Sequence, residues 1–197
     1  MCIIVGSMEQ PIKLSWSDKI LAKTFLRLIP QFVTPNQITW SRFLLTPFVL
    51  ALLWTGQYVW GMIAFLVVSF TDALDGSLAR TRNKVTDWGK LYDPLADKLL
   101  IGMVVYVLVA KYVDFYAAWI IIFIEILIII AAILKRKNGG CLEANIWGKI
   151  KMVLQVTGVM IMLLGIIFDF TSFLHLSRGT FYLSIAFGII SLFTYSI

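Results

Sequence analysis

Apolar residues gather along the chain into six long runs, roughly 38–56, 58–80, 88–112, 115–135, 146–169 and 179–197. A helix needs about 20 apolar residues to cross the hydrocarbon core of a bilayer. The pattern therefore predicts an all-α integral membrane protein with six transmembrane helices. Pro47 falls inside the first run and predicts a kink there. Ahead of the runs the periodicity changes. Leu21, Phe25 and Leu28 recur at i, i+4 and i+7, while Lys19, Lys23 and Arg27 recur at i, i+4 and i+8. Ser17 suits an N-cap, Asp18 the first turn, and Pro30 the stop. That is an amphipathic helix over 17–29, read as lying in the interface plane with its basic face toward lipid phosphates. The alternative is a solvated helix packed on the protein.

Composition sharpens this. Residues are 60% hydrophobic and 14% charged, with mean hydropathy +0.89. A water-soluble fold carries about 25% charged residues, so soluble, disordered and disulfide-framework classes are excluded. The 197 residues suit one membrane domain spanning 1–197. Cys2 and Cys141 fall on segments predicted to be cytosolic and are read as free thiols. No cleavable signal peptide is evident. The net charge of +6 suits anionic lipid head groups, and the basic residues are too scattered for nucleic acid.

Charge also sets orientation. Basic residues crowd the segment before the first run (Lys13, Lys19, Lys23, Arg27, Arg42) and the second and fourth connections (Arg80, Arg82, Lys84, Lys90; Lys135, Arg136, Lys137, Lys149, Lys151). The odd connections hold only Lys111 and Arg178. The positive-inside rule then puts both termini in the cytosol. Trp40, Trp88 and Trp147 fall at the predicted inner ends, and Trp54, Trp60 and Trp119 at the outer ones.

Four carboxylates stand out: Asp72 and Asp75 near the inner end of the second run, Asp93 and Asp97 early in the third. Carboxylates at membrane depth are costly unless paired or functional. Residues three or four apart share a helix face, so each helix presents two carboxylates on one side. The short connection makes the two helices antiparallel neighbours, which lets the pairs face each other. Converging carboxylates without matching cations call for divalent metal, and hard oxygen donors without His or Cys favour Mg²⁺, Mn²⁺ or Ca²⁺. Two such ions form the clamp used in phosphoryl chemistry. Gly76 and Gly89 suit close backbone approach by a ligand, and Arg80 can grip a phosphate bidentately. The plainer alternative pairs the aspartates with Arg80, Arg82, Lys90 and Lys98 at a membrane boundary. An alternative from another class is a divalent-cation transporter. Both carboxylate pairs lie toward one membrane face, however, and only Glu125 lies at depth elsewhere.

The run Asp72-Ala-Leu-Asp75-Gly76-Ser-Leu-Ala79-Arg80, eight residues, then Gly89-Lys-Leu-Tyr-Asp93-Pro-Leu-Ala-Asp97 matches D-x-x-D-G-x-x-A-R-x8-G-x-x-x-D-x-x-x-D at every fixed position. By it the sequence resembles the CDP-alcohol phosphotransferases, over most of its length. The resemblance implies transfer of a substituted phosphate from a CDP-linked donor to a hydroxyl, with CMP released. It implies that Asp72, Asp75 and Asp93 hold two ions, Mg²⁺ or Mn²⁺, with Asp97 close to them and acting as general base. It places Asp72, Gly76, Ala79 and Arg80 in the donor pocket, and homodimers are common in the family. No Ser, Cys or His on these helices forms an evident nucleophile–base pair, which favours direct transfer.

Thr34-Pro35-Asn36-Gln37-Ile38-Thr39 with Arg42, the form Asp93-Pro-Leu-Ala-Asp97-Lys98, and Gly148-Lys149-Ile-Lys151 with Gln155 resemble the phosphatidylglycerophosphate synthase branch of that family. That likeness implies CDP-diacylglycerol as donor, with Asn36 and Thr39 beside it, and glycerol 3-phosphate as acceptor. Inositol phosphate, serine or a lipid alcohol are the alternative acceptors. Lys149 and Lys151 are candidate acceptor-site cations or ordinary flanking lysines. Ile124 stands where the branch usually carries Arg before Glu125, so the two lysines take over that work or the acceptor differs. Glu125 lacks a partner in sequence; an interhelical contact and an acceptor-site role both suit it. His175, in the predicted last connection, reads as incidental.

Overall fold

The computed structural model describes the backbone of residues 35–81, 87–137 and 146–196. Within these ranges the side chains of 35–36, 38, 72–81, 87–94, 132, 135–137 and 195–196 fall outside the description. The predicted interfacial helix 17–29 lies outside the described residues, as do Cys2 and Cys141. The described backbone forms six helices and no strand: α1 Pro35–Trp54, α2 Tyr58–Thr81, α3 Asp87–Tyr112, α4 Phe115–Lys137, α5 Ile146–Ile167 and α6 Thr171–Ser196.

Five of these begin and end within a few residues of the predicted runs. The sixth does not. α6 starts at Thr171 rather than 179, so His175 and Arg178 are helical residues and not part of a connection. The reason is the turn before it. Asp169 adopts φ 57°, and the Phe170 N–H reaches back to the Gly165 carbonyl at 2.9 Å. A left-handed residue followed by that long reach closes a helix end within a couple of residues. The α1–α2 turn uses the same device with a residue better suited to it. Gly56 has φ 83°, its N–H bonds the Leu53 carbonyl, and the Gln57 N–H bonds that of Leu52. At the third turn Asp114 caps α4, its Oδ2 accepting the Ala117 N–H at 3.1 Å.

Among the described residues, α5 and α6 are long and apolar enough to cross a membrane. α1, α2 and α4 carry shorter apolar stretches, Thr39–Trp54, Tyr58–Thr71 and Phe115–Ala131. Large apolar side chains such as Leu44, Phe123, Val153 and Phe193 are exposed, whereas Arg42, Glu125, Lys151 and Gln155 are buried. A soluble protein sorts its side chains the other way.

The chain divides into two compact units. One comprises Leu50–Met62 and the described part of Ile101–Ile197; the other comprises the described residues up to Val49 together with Ile63–Leu100. In the first unit, α5 and α6 pack as an antiparallel pair. One buried stripe of α5 (Lys151, Gln155, Gly158, Met162, Gly165, flanked by buried Val159 and Leu163) and one of α6 (Ser177, Phe181, Ser184, Gly188, Ser191) both advance by alternating steps of four and three. Gly148 approaches Ser191, Gly158 approaches Phe181 and Gly165 approaches Phe173, one helix rising as the other descends. Small residues let the backbones approach where lipid supplies no hydrophobic drive. The buried hydroxyls are satisfied locally: Ser184 Oγ donates to the Phe181 carbonyl at 2.7 Å, and Ser177 Oγ to that of Leu174 at 2.9 Å.

A methyl group on Gly158 would lie 2.5 Å from Thr180 Oγ1 and 3.0 Å from the buried Phe181 ring. Gly158→Ala is therefore expected to lower the thermal unfolding midpoint in detergent, the overpacking costing about 1–3 kcal/mol. Gly179→Ala is the control, since nothing lies within 4 Å of its added methyl. It should be neutral or slightly stabilising, as expected for Gly replaced by Ala in a helix.

Candidate active site

The motif residues fall on two consecutive helix ends. Asp72, Asp75, Gly76, Ala79 and Arg80 occupy the last three turns of α2. Gly89, Asp93 and Asp97 occupy the first three turns of α3. Each aspartate pair is helical throughout, so its members stand one turn apart, about 4.5 Å along the axis for the first pair and about 6 Å for the second. Of the four carboxylates only Asp97 has a described side chain, and it is half-buried. No group of three or more His, Cys, Asp or Glu is gathered among the described side chains. Both motif segments belong to the same compact unit.

That unit also contains the start of α1, where Thr39, Arg42, Thr46 and Val49 form one buried stripe. Thr39 and Arg42 are wholly inaccessible, and Thr46 Oγ1 donates to the Arg42 carbonyl at 2.7 Å. Asn36 lies one turn earlier on the same helix, its side chain outside the description. Sequence reasoning placed Arg42 among the basic residues flanking the first run. It is in fact the largest fully buried side chain among the described residues, and the apolar run in which it sits hid this.

The two candidate acceptor lysines part company. Lys149 is exposed. Lys151 turns inward and forms an ion pair with Glu125 of α4, both side chains being nine-tenths buried or more. Glu125 thus has its interhelical partner. The sequence signals only that a lone mid-run carboxylate needs a cation; that Lys151 supplies it follows from its place on the buried stripe that continues through Gln155 and Gly158. Gly188 of α6 holds the pair from behind, an added methyl there meeting Ile124 Cγ2 at 2.9 Å and Lys151 Cδ at 3.4 Å. Gly102 of α3 also lies near Glu125, an added methyl there standing 4.0 Å from Glu125 Cγ. His175 is exposed on α6.

A family model described as CDP-alcohol phosphatidyltransferase matches residues 32–192. The chain belongs to the CDP-alcohol phosphatidyltransferase family and is an enzyme of that class.

Among its relatives, a Bacillus subtilis (strain 168) protein is 33% identical over 162 residues, 72% of this chain and 82% of the relative. That protein is named CDP-diacylglycerol–glycerol-3-phosphate 3-phosphatidyltransferase. A Rickettsia typhi protein of the same name is 39% identical over 80 residues, 39% of this chain and 45% of the relative. A Drosophila melanogaster protein named "Probable cardiolipin synthase (CMP-forming)" is 36% identical over 87 residues, 44% of this chain and 26% of the relative. The match thus spans less than half the length of the last two.

Proposed function

We propose that the protein transfers the phosphatidyl group of CDP-diacylglycerol to the hydroxyl of glycerol 3-phosphate, giving phosphatidylglycerophosphate and CMP. The observation that carries this is the likeness to the Bacillus subtilis enzyme over 82% of that enzyme's length. The chain works as one membrane domain over 1–197, with six spans, an interfacial helix at 17–29, and its termini and active site on the cytosolic side. The spacing of basic residues supports that orientation, and family likeness supports a homodimer.

The donor set fits hard divalent cations, being carboxylate oxygen alone, with the exposed His175 and the thiols of Cys2 and Cys141 elsewhere in the chain. Asp72, Asp75, Asp93 and Asp97 would hold two ions, Mg²⁺ or Mn²⁺. When bound, such ions neutralise the pyrophosphate and stabilise CMP as it leaves. Asn36, Thr39, Asp72, Gly76, Ala79 and Arg80 bind the donor, Arg80 through its planar guanidinium. The Asp97 carboxylate takes the acceptor's hydroxyl proton as that oxygen bonds to the phosphorus bearing diacylglycerol. The bond from that phosphorus to the CMP oxygen breaks. Lys149 and Lys151 supply positive charge for the acceptor's phosphate, Lys151 keeping two ammonium protons beyond the one directed at Glu125.

A second reading, transfer to a lipid alcohol, draws on a specific observation. Lys151 is already paired, and Ile124 leaves no arginine beside Glu125. A panel of acceptors decides between the two. Purified protein in detergent with CDP-diacylglycerol and Mg²⁺ is expected to release CMP fastest with glycerol 3-phosphate. Faster release with phosphatidylglycerol would instead establish the lipid alcohol.

A further inference from the structure

We propose that Lys111 and Arg178 hold the phosphodiester of an anionic membrane phospholipid where the start of α2, the end of α3 and the start of α6 meet. The proposal rests on reading the helices as membrane-spanning.

Tyr58 opens α2 and Tyr112 closes α3, while Arg178 lies in the second turn of α6. The fold brings these three helices to one place. The two tyrosine rings meet edge to face, centroids 5.9 Å apart at 73°, and their hydroxyls are hydrogen-bonded. One hydroxyl proton is used in that bond, and the other remains for a further acceptor. The Lys111 ammonium stands 5.2 Å from the Tyr58 ring centroid and 5.8 Å from that of Tyr112, within the range of cation–π attraction. Arg178 Nη2 donates to the Tyr112 carbonyl at 3.1 Å, one of the carbonyls that the end of α3 leaves over.

Both cations are exposed, and neither has an ion-pair partner among the described residues. The carboxylates of this end do not serve them. Asp114 caps α4, and Asp169 on the α5–α6 turn pairs with neither. Aromatic contacts steer the ammonium without neutralising it, so its three donors remain for an anion.

The anion's source follows from the surroundings. Exposed Tyr116, Phe170 and Phe173 sit at the adjoining ends of α4 and α6, and Trp60 near the start of α2. Amphipathic and aromatic rings collect at head-group depth. A phospholipid seated there would place its phosphodiester between Lys111 and Arg178 and its chains along α3 and α6. These are also the two basic residues that the positive-inside pattern leaves on this side.

The test uses the full chain in neutral detergent, titrated with dioleoylphosphatidylglycerol or dioleoylphosphatidylcholine and followed by thermal unfolding. The wild type is expected to be protected by phosphatidylglycerol at a concentration about thirtyfold lower than K111Q/R178Q needs, the effect of two basic groups near a lipid surface. K111R/R178K should keep the protection, and CMP release by K111Q/R178Q should be unchanged. If R178Q impairs folding, K111Q alone, which leaves the Arg178 bond in place, should show about a fivefold loss. Equal protection of wild type and K111Q/R178Q would overturn the proposal, as would equal protection by phosphatidylcholine. Protection by inorganic phosphate alone would assign the pair to a free anion and also overturn it. Carbonate extraction separates the two failures. A chain released from membranes defeats the spanning reading, whereas a retained chain without lipid selectivity defeats only this proposal.

Discussion

Asp97→Asn is expected to bind CDP-diacylglycerol within about tenfold of the wild type, a difference of roughly 1.4 kcal/mol. CMP release should nevertheless fall by about 10²–10⁴-fold, the range for a missing general base. The amide keeps one oxygen and nearly the same volume but loses the basic site. Asp97 lies one turn after Asp93 and deeper into α3. Asp72→Asn and Asp75→Asn should behave differently, weakening metal and donor binding together and abolishing turnover. Measuring donor affinity and single-turnover CMP release for the three variants at saturating Mg²⁺ separates the roles. If Asp97→Asn loses donor binding as badly as Asp72→Asn, then Asp97 is chiefly a metal ligand. Full turnover in excess chelator would remove the metal from the mechanism altogether.

Lys151→Ala is expected to destabilise the folded protein by about 3–5 kcal/mol, because it strands the Glu125 carboxylate between α3, α4 and α5. Glu125→Ala should cost about as much for the complementary reason, an ammonium left among apolar side chains. The double variant Glu125→Leu/Lys151→Met should recover most of the loss, since a well-packed apolar pair often replaces a buried ion pair at no cost. Thermal unfolding in detergent reads all three. The same proteins also test Lys151 as an acceptor-site cation. If it serves that purpose, the double variant regains stability but keeps a raised KM for glycerol 3-phosphate with an unchanged KM for CDP-diacylglycerol. Recovery of both stability and acceptor KM would make the pair purely structural.

The helical register of the carboxylate motif was legible because it is set locally. Asp72 and Asp75, and Asp93 and Asp97, need only helical backbone to share a face, and α2 and α3 are helical across both pairs. The helix positions were legible for a similar reason: long apolar runs leave little choice of secondary structure. The start of α6 was not. Thr171, Ser172, His175, Ser177 and Arg178 read as a polar connection. In the structure Ser177 turns inward and bonds a carbonyl of its own helix, while Arg178 reaches the end of α3. The Tyr112 partner of Arg178 lies 66 positions away, outside any local window.

What the sequence by itself determined, among the described residues, is the placement of five of the six helices and the register of the motif along two of them. Both follow from interactions within about one turn: backbone bonds that must close internally in lipid, and side chains three or four residues apart. What only the tertiary structure decided is which polar residues meet across helices. Glu125 meets Lys151, Arg178 meets the Tyr112 carbonyl, and Tyr58 meets Tyr112. These contacts join residues 26 to 66 positions apart. Periodicity states which face of a helix a residue occupies and is silent on which other helix that face will meet. That is settled by close packing, here of Gly158 against Phe181 and of Gly188 against Ile124 and Lys151.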